Sequence, residues 1–260
     1  MRELFEESGK SKPSDNPMET ARGAVRPVLP RRFYKQAGAG AVDGGYGVQL
    51  DGRPVKTPGR KLLAFEQESI AQFVAAEWQA QGDVIDPATM PATRLVNTAL
   101  DGVANDPQAV MEDILAYAAS DLLCYRAGSP QGLVDRQIEL WDPVIDWLRD
   151  EIGANFVLGE GVVPVTQPRD AVAAFSARLR LHGGVLKTAC LHTFTTLTGS
   201  AFLALAIAER QVTAEHAWEA AHVDEDWNIS LWGEDGEAAA RRKLRWLKMK
   251  AAAEIFALAG

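Results

Sequence analysis

Apolar residues change their spacing along the chain, from short alternating runs before residue 88 to long helical periods after it. Period-two patterning predicts strands over 33–37, 46–50 and 53–57, with Asp51-Gly52 between the last two as a tight-turn signal. The glycines at 38, 40, 44, 45 and 47 read as a flexible hairpin loop. They do not form a phosphate loop, because Gly38-Ala39-Gly40 opens no amphipathic helix and no Gly-Lys-Ser/Thr ending follows. Ile70, Phe73, Val74 and Trp78 recur at helical spacing and predict a helix over 65–81, which Gly82 to Pro87 breaks. Helices are then expected over 92–104, 107–123, 130–151, 168–181, 185–210, 213–231 and 237–258, with Pro107 after Asp106 as a start signal and 156–165 as a strand or extended connector. Thr198-Gly199-Ser200 falls inside the fifth of these, where Ser200 reads as a small packing residue. The expected class is α+β. An N-terminal arm (1–28) precedes a small domain of antiparallel strands with one or two helices (29–88), followed by a mostly α-helical bundle domain (89–260).

Composition narrows the function classes. With 47% hydrophobic residues the 260-residue chain can bury a substantial core, and a net charge of −8 argues against a general nucleic-acid binder, which needs a basic footprint. Only Cys124 and Cys190 occur, too far apart for a zinc ribbon and too few for a disulfide framework. The first residues contain no signal-type apolar region, and Glu3, Glu6 and Glu7 do not suit an Arg-rich mitochondrial leader, so a bacterial cytoplasmic location is expected ahead of the mitochondrial matrix. The apolar run 185–208 carries Lys187, His192 and several Thr and Ser, and reads as a buried helix and not a membrane span.

Candidate chemistry concentrates in Asp224-Glu225-Asp226-Trp227-Asn228-Ile229-Ser230-Leu231-Trp232-Gly233-Glu234-Asp235-Gly236-Glu237. Eight acids lie between Glu215 and Glu237 without one Lys or Arg, and six basic residues follow between Arg241 and Lys250, a segregation that predicts two neighbouring helices attracting each other. On one continuous helix from Thr213, Trp218, Glu225, Ile229 and Trp232 share a face, with Val223, Trp227 and Leu231 opposite. Glu225 would then stand on an apolar stripe, either paired with an internal Arg or His or facing a cleft. Asp224 and Asp226 read as a solvated flank, Trp232 as core, and Gly233 as the helix end. No catalytic motif accompanies these acids: Gly-x-Ser-x-Gly is lacking, no His-x-x-x-His pair occurs, and His222, Asp224 and Asp226 on a helix span too wide an arc to converge on one metal. Glu225 with Glu234 or Asp235 across the Trp232-Gly233 turn remains an acid–base alternative, as in a small-molecule enzyme.

The same segment resembles the signature of the assembly chaperones that bind the alpha subunit of the F1 sector of ATP synthase, in which an acidic pair, an aromatic and usually a Gln precede Trp-Gly and further acids. Collinear agreement extends to Arg32-Phe33-Tyr34-Lys35, the stretch from Leu50 to Pro58, Ala76-Glu77-Trp78-Gln79-Ala80-Gln81, Met90-Pro91-Ala92-Thr93-Arg94, the stretch from Asp121 to Arg126, and that from Arg136 to Pro143. Asn228 stands where the family usually has Gln, and Gly236 where an acid is common. The resemblance covers nearly everything from residue 31 onward. It implies a chaperone that holds the unassembled alpha subunit against aggregation and hands it to beta, without catalytic residues, cofactor or metal, and acting as a monomer. It also implies Glu225 as the key carboxylate, with Asp224, Trp232, Gly233, Glu234, Asp235 and Glu237 supporting a cleft, for which the space between the two domains is the expected place.

Overall fold

Asp51 and Gly52 both adopt positive φ, 48° and 78°, the two-residue turn that matches the twist of the strands it joins. It links β2 (Gly45–Leu50) to β3 (Arg53–Pro54). The computed structural model describes residues 29–161 and 163–260, so the expected arm 1–28 lies outside the described residues.

The first correction to the sequence reading concerns β1 (Ala37–Val42), which pairs antiparallel with β2 from Ala37↔Leu50 to Val42↔Gly45. The expected loop glycines 38 and 40 therefore lie within a strand, and the expected strand 33–37 contributes only its last residue. Alternating Ala and Gly carry no bulk, so the pattern hides the pairing. Close approach explains Gly47, where a Cβ would sit 2.8 Å from the Leu63 carbonyl oxygen. β4 (Ala64–Phe65) also pairs with β2, and α1 (Glu68–Gln79) covers the sheet through Ile70, Ala71, Val74 and Ala75.

Beyond residue 88 the chain is mostly helical. Pro91 opens α2 (Pro91–Asp101), and Pro107 opens α3 (Pro107–Ala118), capped by Asp106 accepting from the Ala109 amide at 2.9 Å. Then come α4 (Gln131–Ile152), ended by left-handed Gly153, and α5 (Arg169–Leu179). The connector between them supplies β6 (Gly159–Glu160), which pairs in parallel with β5 (Tyr125–Arg126).

The expected helix 185–210 is two helices, α6 (Val185–Thr198) and α7 (Ala201–Ala208). Gly199 takes φ 71°, and the Ser200 hydroxyl accepts from the Leu203 amide at 3.0 Å, so Ser200 is a cap and not merely a packing residue. Asp121, fully buried, accepts from the amides of Phe202 (3.0 Å) and Leu123 (3.1 Å), tying the turn after α3 to the start of α7. Burial pushes its carboxyl up to about 7, against the hydrogen bonds that favour the charged form. α7 is buried on every side, as a helix without a polar stripe must be.

The expected helix 213–231 also divides, into α8 (Ala214–Ala221) and α9 (Val223–Trp232), before α10 (Gly236–Leu258). One cluster of buried side chains runs from Val48, Leu63 and Phe65 in the strand region through Phe175 and Phe202 to Ile255 in α10.

Candidate functional site

His222 sets the geometry of the acidic segment. Its ring is buried, donates from Nδ1 to the Trp218 carbonyl (2.7 Å), and lies 4.1 Å from the Trp218 ring. Burial holds its pKa below the ordinary histidine value, opposed by the hydrogen bond to the Trp218 carbonyl and then by Glu225, while Arg242 lowers it further. Because the chain breaks here, α9 does not continue the face of α8: Trp218 is buried, whereas Trp232 is 84% exposed. This corrects the placement of Trp232 in the core.

Two contacts fix the angle of α9 against α4. Gln137 donates from Nε2 to Asp224 Oδ1 at 2.8 Å. Trp227 lays its ring on Gly132, where any Cβ would stand 2.7 Å from a ring carbon, and the Arg136 guanidinium carbon lies over that ring, 5.4 Å from its centroid. Trp227 is thus the structural tryptophan of the segment and Trp232 the free one.

α10 begins where the Asp235 carboxylate accepts from the Ala238 amide at 2.8 Å. It returns along α9 and brings Arg242 to Asp226, with both guanidinium nitrogens on the two carboxylate oxygens, one of them at 2.9 Å. Asp226 is therefore ion-paired, which corrects its reading as a solvated flank and gives a contact of the kind that charge segregation predicts. Asp226 raises the Arg242 pKa most, with smaller contributions from Glu225 and Glu234.

Between α9 and α10 these elements leave a cleft. Asp224, Glu225, Trp232, Gly233, Glu234 and Asp235 all line it, together with Ile229 and Arg242. Glu237 lies outside this lining, 3.5 Å from Arg241. The cleft lies within the helical part of the chain and not between the two expected domains. Of the three consecutive acids, Asp224 receives a hydrogen bond and Asp226 an ion pair; Glu225, half-buried, has neither among the described residues. The site thus sets one uncommitted carboxylate beside an exposed indole, with Glu234 at the rim. Such a surface can receive a cation flanked by apolar groups.

Sequence reasoning missed Arg242, Gln137 and Gly132. The basic run 241–250 signals that one of its members faces the acids, but nothing in the pattern singles out Arg242. Gln137 and Gly132 lie on a separate helix, and only the fold brings them to α9. Among the described residues no group of three or more potential metal ligands occurs, and no helix is long and apolar enough to cross a membrane.

Comparison with known proteins places these features in a family context. A family profile described as ATP12 chaperone protein matches residues 31–149, a range that ends before the acidic segment. The crystal structure of the Atu1473 protein from Agrobacterium tumefaciens superposes with a TM-score of 0.84 at 48% identity, covering 94% of this chain and 91% of that one. The crystal structure of Atp12 from Paracoccus denitrificans gives a TM-score of 0.81 at 36% identity, covering 89% of this chain and 99% of that one. Both confirm an α+β architecture, with a small antiparallel N-terminal region before a mostly helical part. Among curated proteins, mitochondrial atp12 of Schizosaccharomyces pombe is 26% identical over 143 residues, covering 50% of this chain and 48% of that protein. The match spans about half the length of that relative.

Proposed function

The chain belongs to the ATP12 chaperone family, and on that premise we propose that it acts in ATP synthase assembly by binding the unassembled alpha subunit of F1, keeping it from aggregating and releasing it to beta. An isolated ring subunit exposes the apolar surface its neighbours will cover, and such patches drive aggregation. A protein that occupies this surface needs apolar contact together with polar selectivity.

The observation that carries the reading is the pairing of Trp232, 84% exposed at the end of α9, with the uncommitted Glu225 in the same cleft. Large exposed aromatics are costly to leave in water and rank among the strongest interface anchors, while a nearby carboxylate selects a basic group on the partner. Asp224 and Asp226 hold the cleft in shape; Glu225, Glu234 and Trp232 make contact. Gly233, at φ 86° and ψ 170°, makes a turn that only glycine adopts readily and so sets the aim of Trp232. We place the protein in the bacterial cytoplasm and treat it as a monomer when free.

The test is co-purification with the same organism's alpha subunit, with beta and an unrelated aggregation-prone protein as controls. Selective retention of alpha that beta reverses is the expected result. Equal binding to all three proteins, or none to alpha, sinks the proposal. Glu225→Gln should keep the thermal midpoint while weakening alpha retention; a large stability loss with intact retention would make Glu225 an internal structural charge instead. The acid–base enzyme alternative uses Glu225, Glu234 and Asp235, and turnover of a small molecule by the purified protein would favour it.

A further inference from the structure

Within Met90-Pro91-Ala92-Thr93-Arg94, every side chain but one has a structural task. Met90 is buried in the core, and Pro91 opens α2. Glu77 from α1 caps that helix, accepting from the amides of Ala92 and Thr93 (2.7 Å each) and from the Thr93 hydroxyl (2.8 Å). Arg94 is exposed and, among the described residues, its side chain makes no hydrogen bond or ion pair. The capped helix start directs it over a groove that Lys248 of α10 rims from the other side. Lys248 is likewise exposed and unbonded among the described residues.

The groove floor is apolar, formed by Leu95, Val103 and Ala189. The hydroxyls of Thr98 and Thr193 on its walls donate to carbonyls of their own helices, and His192 is tied to Asp113 at 2.9 Å. Two cations with free donors among the described residues therefore line a groove that is apolar at Leu95, Val103 and Ala189. One turn before Lys248 on α10, Leu244 is exposed. The acidic cleft uses other residues entirely, so the chain offers one acidic apolar face and one basic apolar face, in a protein of net charge −8.

We propose that the groove between α2 and α6, rimmed by Lys248 of α10, is a second docking surface, taking an acidic segment of a protein partner that carries an apolar side chain next to its carboxylates. Charge complementarity selects the occupant: carboxylates meet Arg94 and Lys248, while the apolar side chain covers Leu95, Val103 and Ala189. The proposal rests on the reading of the chain as a protein-binding chaperone and adds a contact of opposite sign to the one at Glu225.

The test uses the full chain and a fluorescent helix-forming peptide with Leu at helical spacing and Glu elsewhere, compared with the same peptide carrying Gln for Glu. Anisotropy titration at low salt should show binding of the Glu peptide alone. The double substitution Arg94→Glu with Lys248→Glu should weaken it by more than about tenfold, Arg94→Gln with Lys248→Gln should weaken it less, and Glu225→Gln should leave it unchanged. Both positions are exposed, and an unchanged circular dichroism melt checks the fold. Equal binding of the Gln peptide, indifference to charge reversal, or loss with Glu225→Gln would each overturn the proposal. So would displacement by inorganic tripolyphosphate at concentrations matching the peptide, which would point to a small-anion site. Because no alpha subunit is present, failure of the groove and failure of the alpha-subunit reading are separable.

Discussion

Asp224, Glu225 and Asp226 are neighbours in sequence but not in chemistry: one takes a hydrogen bond from Gln137, one pairs with Arg242, and one carries no bond among the described residues. Helical phase distributes them, and the identity of what lies on each side decides the rest. Arg242→Met should therefore cost on the order of 1 kcal/mol, since it strips the partner from a half-buried Asp226, and a urea titration reads that loss directly. Trp232→Ala should behave in the opposite way. An exposed side chain away from the core moves stability by less than about 0.5 kcal/mol, whereas loss of an aromatic anchor should weaken alpha retention by about tenfold or more; an unchanged retention would remove Trp232 from the binding surface. At this scale the sequence singles out the acids and tryptophans only as a group. It does not show which Trp is structural, because Trp227 is immobilised by Gly132, a residue 95 positions away whose lack of a side chain leaves no trace in any hydrophobic pattern.

Element boundaries follow the same logic. Asp51-Gly52, Asp106-Pro107 and Thr213 announce a turn and two helix starts, because each acts through local backbone chemistry. The breaks at Gly199-Ser200 and His222 are not visible from periodicity. α7 is apolar all round and so has no phase against which a break could be noticed, and His222 ends α8 by turning its ring back onto Trp218, one turn earlier in the same helix. Asp121 holds the first of these breaks, which gives it a pH signature. Its folded pKa of about 7 exceeds the unfolded value, near 3.9, so the native state binds the extra proton between those limits. The stabilisation is then fully present below the unfolded value and is lost as pH rises through about 7. Denaturation midpoints of the wild type should fall relative to those of Asp121→Asn over that window, and parallel pH profiles would show that Asp121 titrates as an ordinary carboxylate in the fold.

For the molecule as a whole, a strand-rich part precedes a mostly helical one, yet the buried cluster runs across the expected boundary near residue 88, from Phe65 to Ile255. Arg31 bridges to Val84, and the Ile85 amide donates to the Pro30 carbonyl at 2.8 Å, which sews the connecting segment to the start of the described chain. A shared core of this kind couples the two parts, so calorimetry should record one unfolding transition; two well-separated transitions would show that the parts unfold independently. Such a cluster cannot be anticipated from sequence, because it depends on which apolar faces meet after each region has folded.

Of the seven tryptophans, all but Trp232 are buried or half-buried. The protein therefore carries its own optical probe at the mouth of the cleft. Acrylamide should quench the red-edge emission of the free protein first, and that fraction should turn blue and resist quenching once a partner covers the indole, so binding can be followed without attaching a label.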